Sequence, residues 1–156
     1  MIKNLRFFFV FLFLSSCGYS PIYQIDQELD FKLDTIYFSG DKKISRKIEQ
    51  GLEKFRNNNS KNIFNADFVI EKKEEVITKD KKGNPSSFKK TIELNLNLSS
   101  KTNEKSFAKK FIKETTYDSM DNKFELDQYK INVEKNMIFK ILQDINIFFN
   151  IIENDL

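Results

Sequence analysis

From Phe88 to Ser99 the chain alternates: Phe88, Ile92, Leu94, Leu96 and Leu98 share one side, and Lys89, Thr91, Glu93, Asn95, Asn97 and Ser99 share the other. A two-residue period is the mark of an extended strand. One apolar side set against one polar side predicts a sheet that is buried on one face and wet on the other. Flanking segments supply its partners. Phe68 to Thr78 reads as a strand that is apolar at Phe68, Val69, Ile70, Val76 and Ile77 and charged from Glu71 to Glu75, so its centre is expected to face water or a partner. Gly83-Asn84-Pro85 makes the turn between the two. Thr102-Asn103-Glu104 turns the chain again, and Phe107 to Tyr117 returns with Phe107, Phe111, Thr115 and Tyr117 in register. The three segments predict an antiparallel meander with a polar open face.

Ahead of the meander, Phe31 to Phe38 is rich in aromatic and β-branched residues and closes at Ser39-Gly40. Ile36 and Phe38 are apolar as well as Phe31, Leu33 and Tyr37, which predicts a strand covered on both faces and central in its sheet. Asp41 stands where an N-cap belongs, and Ile44, Ile48, Leu52 and Phe55 recur at helical spacing until Asn57-Asn58-Asn59. Gly51 within this amphipathic helix marks a place of close packing. After the meander, Phe124 to Ile152 reads as one long helix, with Tyr129, Val133, Met137, Ile141, Ile145, Phe148 and Ile152 in one stripe and Ile138, Leu142 and Phe149 beside it. The second set is expected to pack on the first helix, with any surplus facing another protein. Together these elements predict an α+β domain over residues 31–156, two helices packed on one face of a mixed four-stranded sheet in the order β-α-β-β-β-α.

The first seventeen residues concern location. Lys3 and Arg6 open a cationic start, Phe7 to Leu14 is an unbroken apolar run of eight, and Leu14-Ser15-Ser16-Cys17 follows at once. That is the layout of a secretory signal; eight residues fall short of the roughly 20 that a membrane-crossing helix needs. Leu-Ser-Ser-Cys also resembles the bacterial lipobox. By that resemblance residues 1–16 are a lipoprotein signal peptide, Cys17 becomes a lipidated first residue, and residues 17–30 form a tether to the domain. Several acyl chains, at about 0.8 kcal/mol per buried methylene, would hold the chain firmly on a membrane.

Composition excludes several chemistries. The chain has no histidine, so Ser-His-Asp triads and histidine-ligated zinc are ruled out. Cys17 is its single cysteine, and once lipidated it leaves no thiol for a disulfide, metal or nucleophile. Gly18, Gly40, Gly51 and Gly83 are too far apart for a phosphate-cradling loop. Loss of Lys3 and Arg6 with the signal lowers the net charge from +3 to +1, too small an excess for a general nucleic-acid surface. Carboxylate pairs such as Glu74 with Glu75 and Asp118 with Asp121 are read as solvated faces. A non-catalytic protein without a cofactor is expected.

Two stretches carry a more specific resemblance. Cys17-Gly18-Tyr19-Ser20-Pro21-Ile22-Tyr23 is similar to the Cys-Gly-aromatic-x-Pro-aliphatic-Tyr start of α-proteobacterial members of the LptE family, the lipopolysaccharide-assembly lipoproteins. Thr116-Tyr117-Asp118-Ser119-Met120-Asp121-Asn122-Lys123-Phe124 is similar to the segment that leads into their last helix. The chain departs from the commoner pattern in lacking a glycine after Tyr23 and in having few alanines in its last helix. The resemblance implies a protein held by its lipid anchor on the periplasmic side of the outer membrane. Its partner there would be the LptD β-barrel, which it would help to assemble and to deliver lipopolysaccharide to the outer leaflet. It further implies contact with lipopolysaccharide, for which Lys79, Lys81, Lys82, Lys89 and Lys90 around the Gly83 turn are the candidates, since ammonium groups bind phosphate. A solvated hairpin tip explains the same lysines. Two other classes fit the anchor and the composition: an accessory or binding subunit of a different lipid transporter, and a cell-wall hydrolase working through carboxylates.

Overall fold

The alternating segment becomes strand β3, which runs from Pro85 to Ser100, with Ile92, Leu94, Leu96 and Leu98 buried. The computed structural model describes residues 31–56 and 59–155; the predicted signal segment, Cys17 and the tether of residues 17–30 lie outside the described residues. Around β3 are β1 (Lys32–Gly40), α1 (Lys42–Leu52) with a 3-10 turn (Glu53–Phe55), β2 (Ile63–Lys79), β4 (Ser106–Asp118) and α2 (Lys123–Asn154). The sheet order is β1-β2-β3-β4, with β1 parallel to β2 and the other pairs antiparallel. Both helices cover the same face. The predicted α+β architecture and element order are those of the structure. Among the described residues no helix is long and apolar enough to cross a membrane.

One placement differs from the sequence expectation: β1 is an edge strand, not a central one. Its register against β2 slips between Leu33 and Ile36. A bulge of this kind changes which residues share a side. Phe31 and Leu33 face the helices before the slip, and Ile36 and Phe38 pack against the same core after it. Tyr37 is left 63% exposed. The apolar density that suggested two covered faces therefore serves one. Strand β2 also begins earlier than the sequence suggests, because Phe64 and Ala66 alternate into the core among the polar residues Asn62, Asn65 and Asp67.

The β1 to α1 junction is built by two residues. Gly40 adopts φ +96°, and a Cβ there would lie 1.9 Å from the carbonyl oxygen of Ile70. Only glycine permits that approach. Asp41 then caps α1: its Oδ1 accepts from the amides of Lys43 at 3.0 Å and Ile44 at 2.9 Å. Its own amide donates to the Ile70 carbonyl at 3.1 Å, tying the cap to β2. Farther along α1, a Cβ on Gly51 would come within 2.6 Å of Leu142 Cδ1 on α2, which is the close packing its position suggested.

The core has an aromatic end and a charged end. At the first, Phe31 stacks on Phe64 at 4.8 Å and on Phe149 at 4.5 Å, and Phe55 meets Phe149 edge-on at 5.1 Å. This knot joins β1, the 3-10 turn, β2 and the last turns of α2. Ile138, Ile141 and Ile145 continue the buried stripe of α2 toward the hairpin end of the sheet, where Glu134 takes the next position on that stripe.

Candidate functional site

The five candidate lysines do not form one cluster. Lys79, Lys81 and Lys82 are exposed at the β2 to β3 turn, where Asp80 Oδ1 accepts from the amides of Lys82 and Asn84, both at 2.8 Å. Those amides and the Asn84 side chain hold the Asp80 carboxyl below the usual carboxylate range, so an anion sits among the three cations. Lys89 lies on the open face and pairs with Glu114 at 2.8 Å. Lys90, its neighbour in a strand, points to the opposite side. It is 5% exposed beneath α2 and pairs with Glu74 at 3.3 Å, out of reach of a surface ligand in this arrangement. The predicted group of five reduces to three lysines at the tip.

Sequence reasoning missed an ionic seam between the sheet and α2. Lys72 and Glu74 are exposed, as the charged centre of β2 was expected to be, yet they follow Phe64, Ala66, Phe68 and Ile70 on the side that carries the helices, and their charged ends reach buried partners. Lys72 Nζ reaches Asp41 Oδ2 at 2.9 Å and Glu134 Oε2 at 3.4 Å, and Glu134 Oε1 lies 3.4 Å from Lys43 and 3.6 Å from Lys47. Glu74 bridges Lys90 and Lys130, the latter at 2.9 Å. Burial pulls Glu134 upward, but Lys72 and Lys43 outweigh it, and its carboxyl sits below the usual range. Glu74 behaves alike, with Lys130, Tyr117 and Lys90 outweighing burial. Burial and the neighbouring Glu74 carboxylate drive the Tyr117 phenol well above the ordinary tyrosine range. With Glu74 and Glu134 favoured in their charged forms and Tyr117 in its neutral one, the seam ties α2 to the sheet through opposite charges. Its signal in the sequence was parity: Glu134 lies four residues before Ile138 and seven before Ile141.

The surface left for a partner is the other side of the sheet. No element among the described residues covers it. It mixes the cross-strand pairs Lys89–Glu114 and Lys110–Glu93, the latter at 2.6 Å, with the exposed apolar side chains of Tyr37, Val69, Ile77 and Ile112. Such a face is neither a lipid-immersed surface nor a uniformly solvated one. It suits a wet interface with interspersed apolar contacts.

No family model matches the sequence, and no curated protein does. Solved structures do match. Rare lipoprotein B from Shewanella oneidensis superposes with a TM-score of 0.57 at 12% identity, over 78% of this chain and 98% of that one. Lipoprotein B from Nitrosomonas europaea gives 0.55 at 13% identity over 75% and 81%, and a minor lipoprotein from Acinetobacter baumannii gives 0.54 at 9% identity over 81% and 96%. At these identities the similarity is one of fold: the chain has the α+β architecture of these bacterial lipoproteins.

Proposed function

We propose that this chain is a lipoprotein of the LptE type, anchored through Cys17 to the outer membrane and seated against an LptD-like β-barrel. There it would assist barrel assembly and the passage of lipopolysaccharide without catalysing a reaction. The observation that carries this reading is the open sheet face, a rigid surface of paired charges and scattered apolar side chains that nothing in the described fold covers. The inside of a large outer-membrane barrel is polar and wet, and such a face is complementary to it. Solved lipoproteins that share the fold, together with the lipobox-like Leu14-Ser15-Ser16-Cys17, support the anchor. The three exposed tip lysines, Lys79, Lys81 and Lys82, remain the candidates for lipopolysaccharide phosphates.

Extraction from the native membrane in mild detergent tests the reading. One large β-barrel protein should co-purify stoichiometrically, and charge reversal at Lys110 and Glu114 on the open face should weaken that association. Co-purification with an inner-membrane permease instead would overturn it. Cys17→Ser should abolish palmitate incorporation; retained label would remove that residue from the anchor.

A further inference from the structure

The two edges of the sheet differ. Strand β1 is nine residues long and broken by its bulge, an arrangement that blunts an edge against further pairing. Strand β4 pairs with β3 from Ser106 to Asp118 without a register shift, and its other side pairs with no strand among the described residues. A regular unpaired edge presents a row of amide and carbonyl groups ready to bond an extended chain.

A trough follows that edge. Between β4 and the C-terminal half of α2 lies a cleft of about 360 Å³ lined by Phe111, Ile112, Ile147, Phe148 and Ile151 together with Lys109, Lys110 and Asp144. The next residues of β4, Lys113 to Thr115, line a second cleft of about 260 Å³ against Tyr129, Val133 and Lys140 of α2. From residue 109 to residue 115 the lining spans seven strand residues, about 23 Å. One end is apolar, with Ile147 and Ile151 half exposed. Lysine is in excess along the whole length. Lys110 and Lys113 are neutralised by Glu93 and Asp144, but Lys109 and Lys140 are ion-paired with no carboxylate among the described residues.

We propose that the β4 edge and this trough bind an extended acidic segment of another polypeptide, which adds to the sheet as a fifth strand. Backbone bonds to β4 supply affinity. Alternate side chains supply selectivity: apolar ones enter between Phe148 and Ile151, and acidic ones meet Lys109 and Lys140. A second copy of the chain is disfavoured, because the helix-side residues of β4 are Phe107, Lys109, Phe111, Lys113, Thr115 and Tyr117, so an antiparallel β4 to β4 pair offers Lys109 no cross-strand carboxylate in any register. The proposal shares Lys110 and Ile112 with the open sheet face, but Lys109, Lys140, Ile147 and Ile151, which carry its test, lie on the helix side, and it does not depend on the barrel partner.

Amide hydrogen exchange on the full chain in detergent micelles tests it. Three capped nonapeptides serve as probes: one alternating glutamate with isoleucine, one of the same composition with the two residues in blocks, and one alternating lysine with isoleucine. The alternating acidic peptide should slow exchange of β4 amides at least tenfold and leave β1 unchanged. Ile147→Asp with Ile151→Asp should abolish the slowing, and Lys109→Glu with Lys140→Glu should transfer it to the lysine peptide while circular dichroism stays native. Equal slowing by all three peptides, protection of β1 instead, or no slowing of β4 would each overturn the proposal. Protection of β4 that rises with protein concentration alone would replace the acidic partner with a second copy.

Discussion

Replacing Gly40 with alanine should be among the most costly single substitutions in this fold, and the structure sets the scale. The residue holds φ +96°, where an L side chain costs about 1 to 2 kcal/mol. The added Cβ would also overlap the Ile70 carbonyl oxygen at 1.9 Å, and that oxygen is backbone with no rotamer to adopt. The strand must move away, which breaks the 3.1 Å bond from the Asp41 amide to Ile70, worth about 1 kcal/mol. It also displaces the Asp41 cap of α1, worth about another 1 kcal/mol. The total is about 3 to 4 kcal/mol, which lowers a urea midpoint by more than about 1 M for a domain of this size. Gly83→Ala is the control. Its φ is +87°, but a Cβ there meets nothing within 4 Å, so only the backbone strain remains. Urea unfolding followed by circular dichroism should separate the two variants by about 2 kcal/mol. Equal midpoints would refute the reasoning, since they would mean that the approach of Gly40 to β2 contributes nothing.

Glu134→Gln should destabilise by about 1 to 3 kcal/mol at neutral pH by leaving Lys72, Lys43 and Lys47 without their shared carboxylate. The folded carboxyl is held below its ordinary value of 4.5. Its contribution is therefore complete above that pH and is lost as pH falls through the folded value, so wild type and variant should converge in acid in a series of urea midpoints. Lys90→Met should cost about 1 to 3 kcal/mol by stranding part of the Glu74 charge, whereas Lys89→Met, which breaks an exposed pair, should cost under about 1 kcal/mol in the same assay. Gly51→Ala should push Leu142 aside; in a double-mutant cycle with Leu142→Ala the two losses should fall short of additivity by about 1 kcal/mol or more.

Periodicity made most of the architecture legible. The alternation of β3 named its buried residues, Asp41 caps the helix that follows it, and Gly51 marked the helix contact. Parity could also have exposed the seam, because Lys72, Glu74, Lys90 and Glu134 all stand at core-facing positions. The charged run of β2 is solvated, as such runs usually are, but Lys90 and Glu134 are buried, and each finds an opposite charge on that run. The five candidate lysines part for a reason of the same kind. Neighbours in a sequence are not neighbours on a strand, and Lys89 and Lys90 point to opposite faces of the sheet.

By itself the sequence determined the elements, their order and, except in β1, which side of each is apolar, since those follow from local spacing and from the conformations that Gly40, Asp41 and Gly83 impose. Only the tertiary structure decided that β1 lies at an edge, that Glu134 joins lysines from α1 and β2, and that β4 is left with an open side above a trough. Each of these depends on which distant strand pairs with which and in what register. Hydrogen bonding between strands is nearly indifferent to side-chain identity, so that choice is made by packing of the assembled core and not by any one segment.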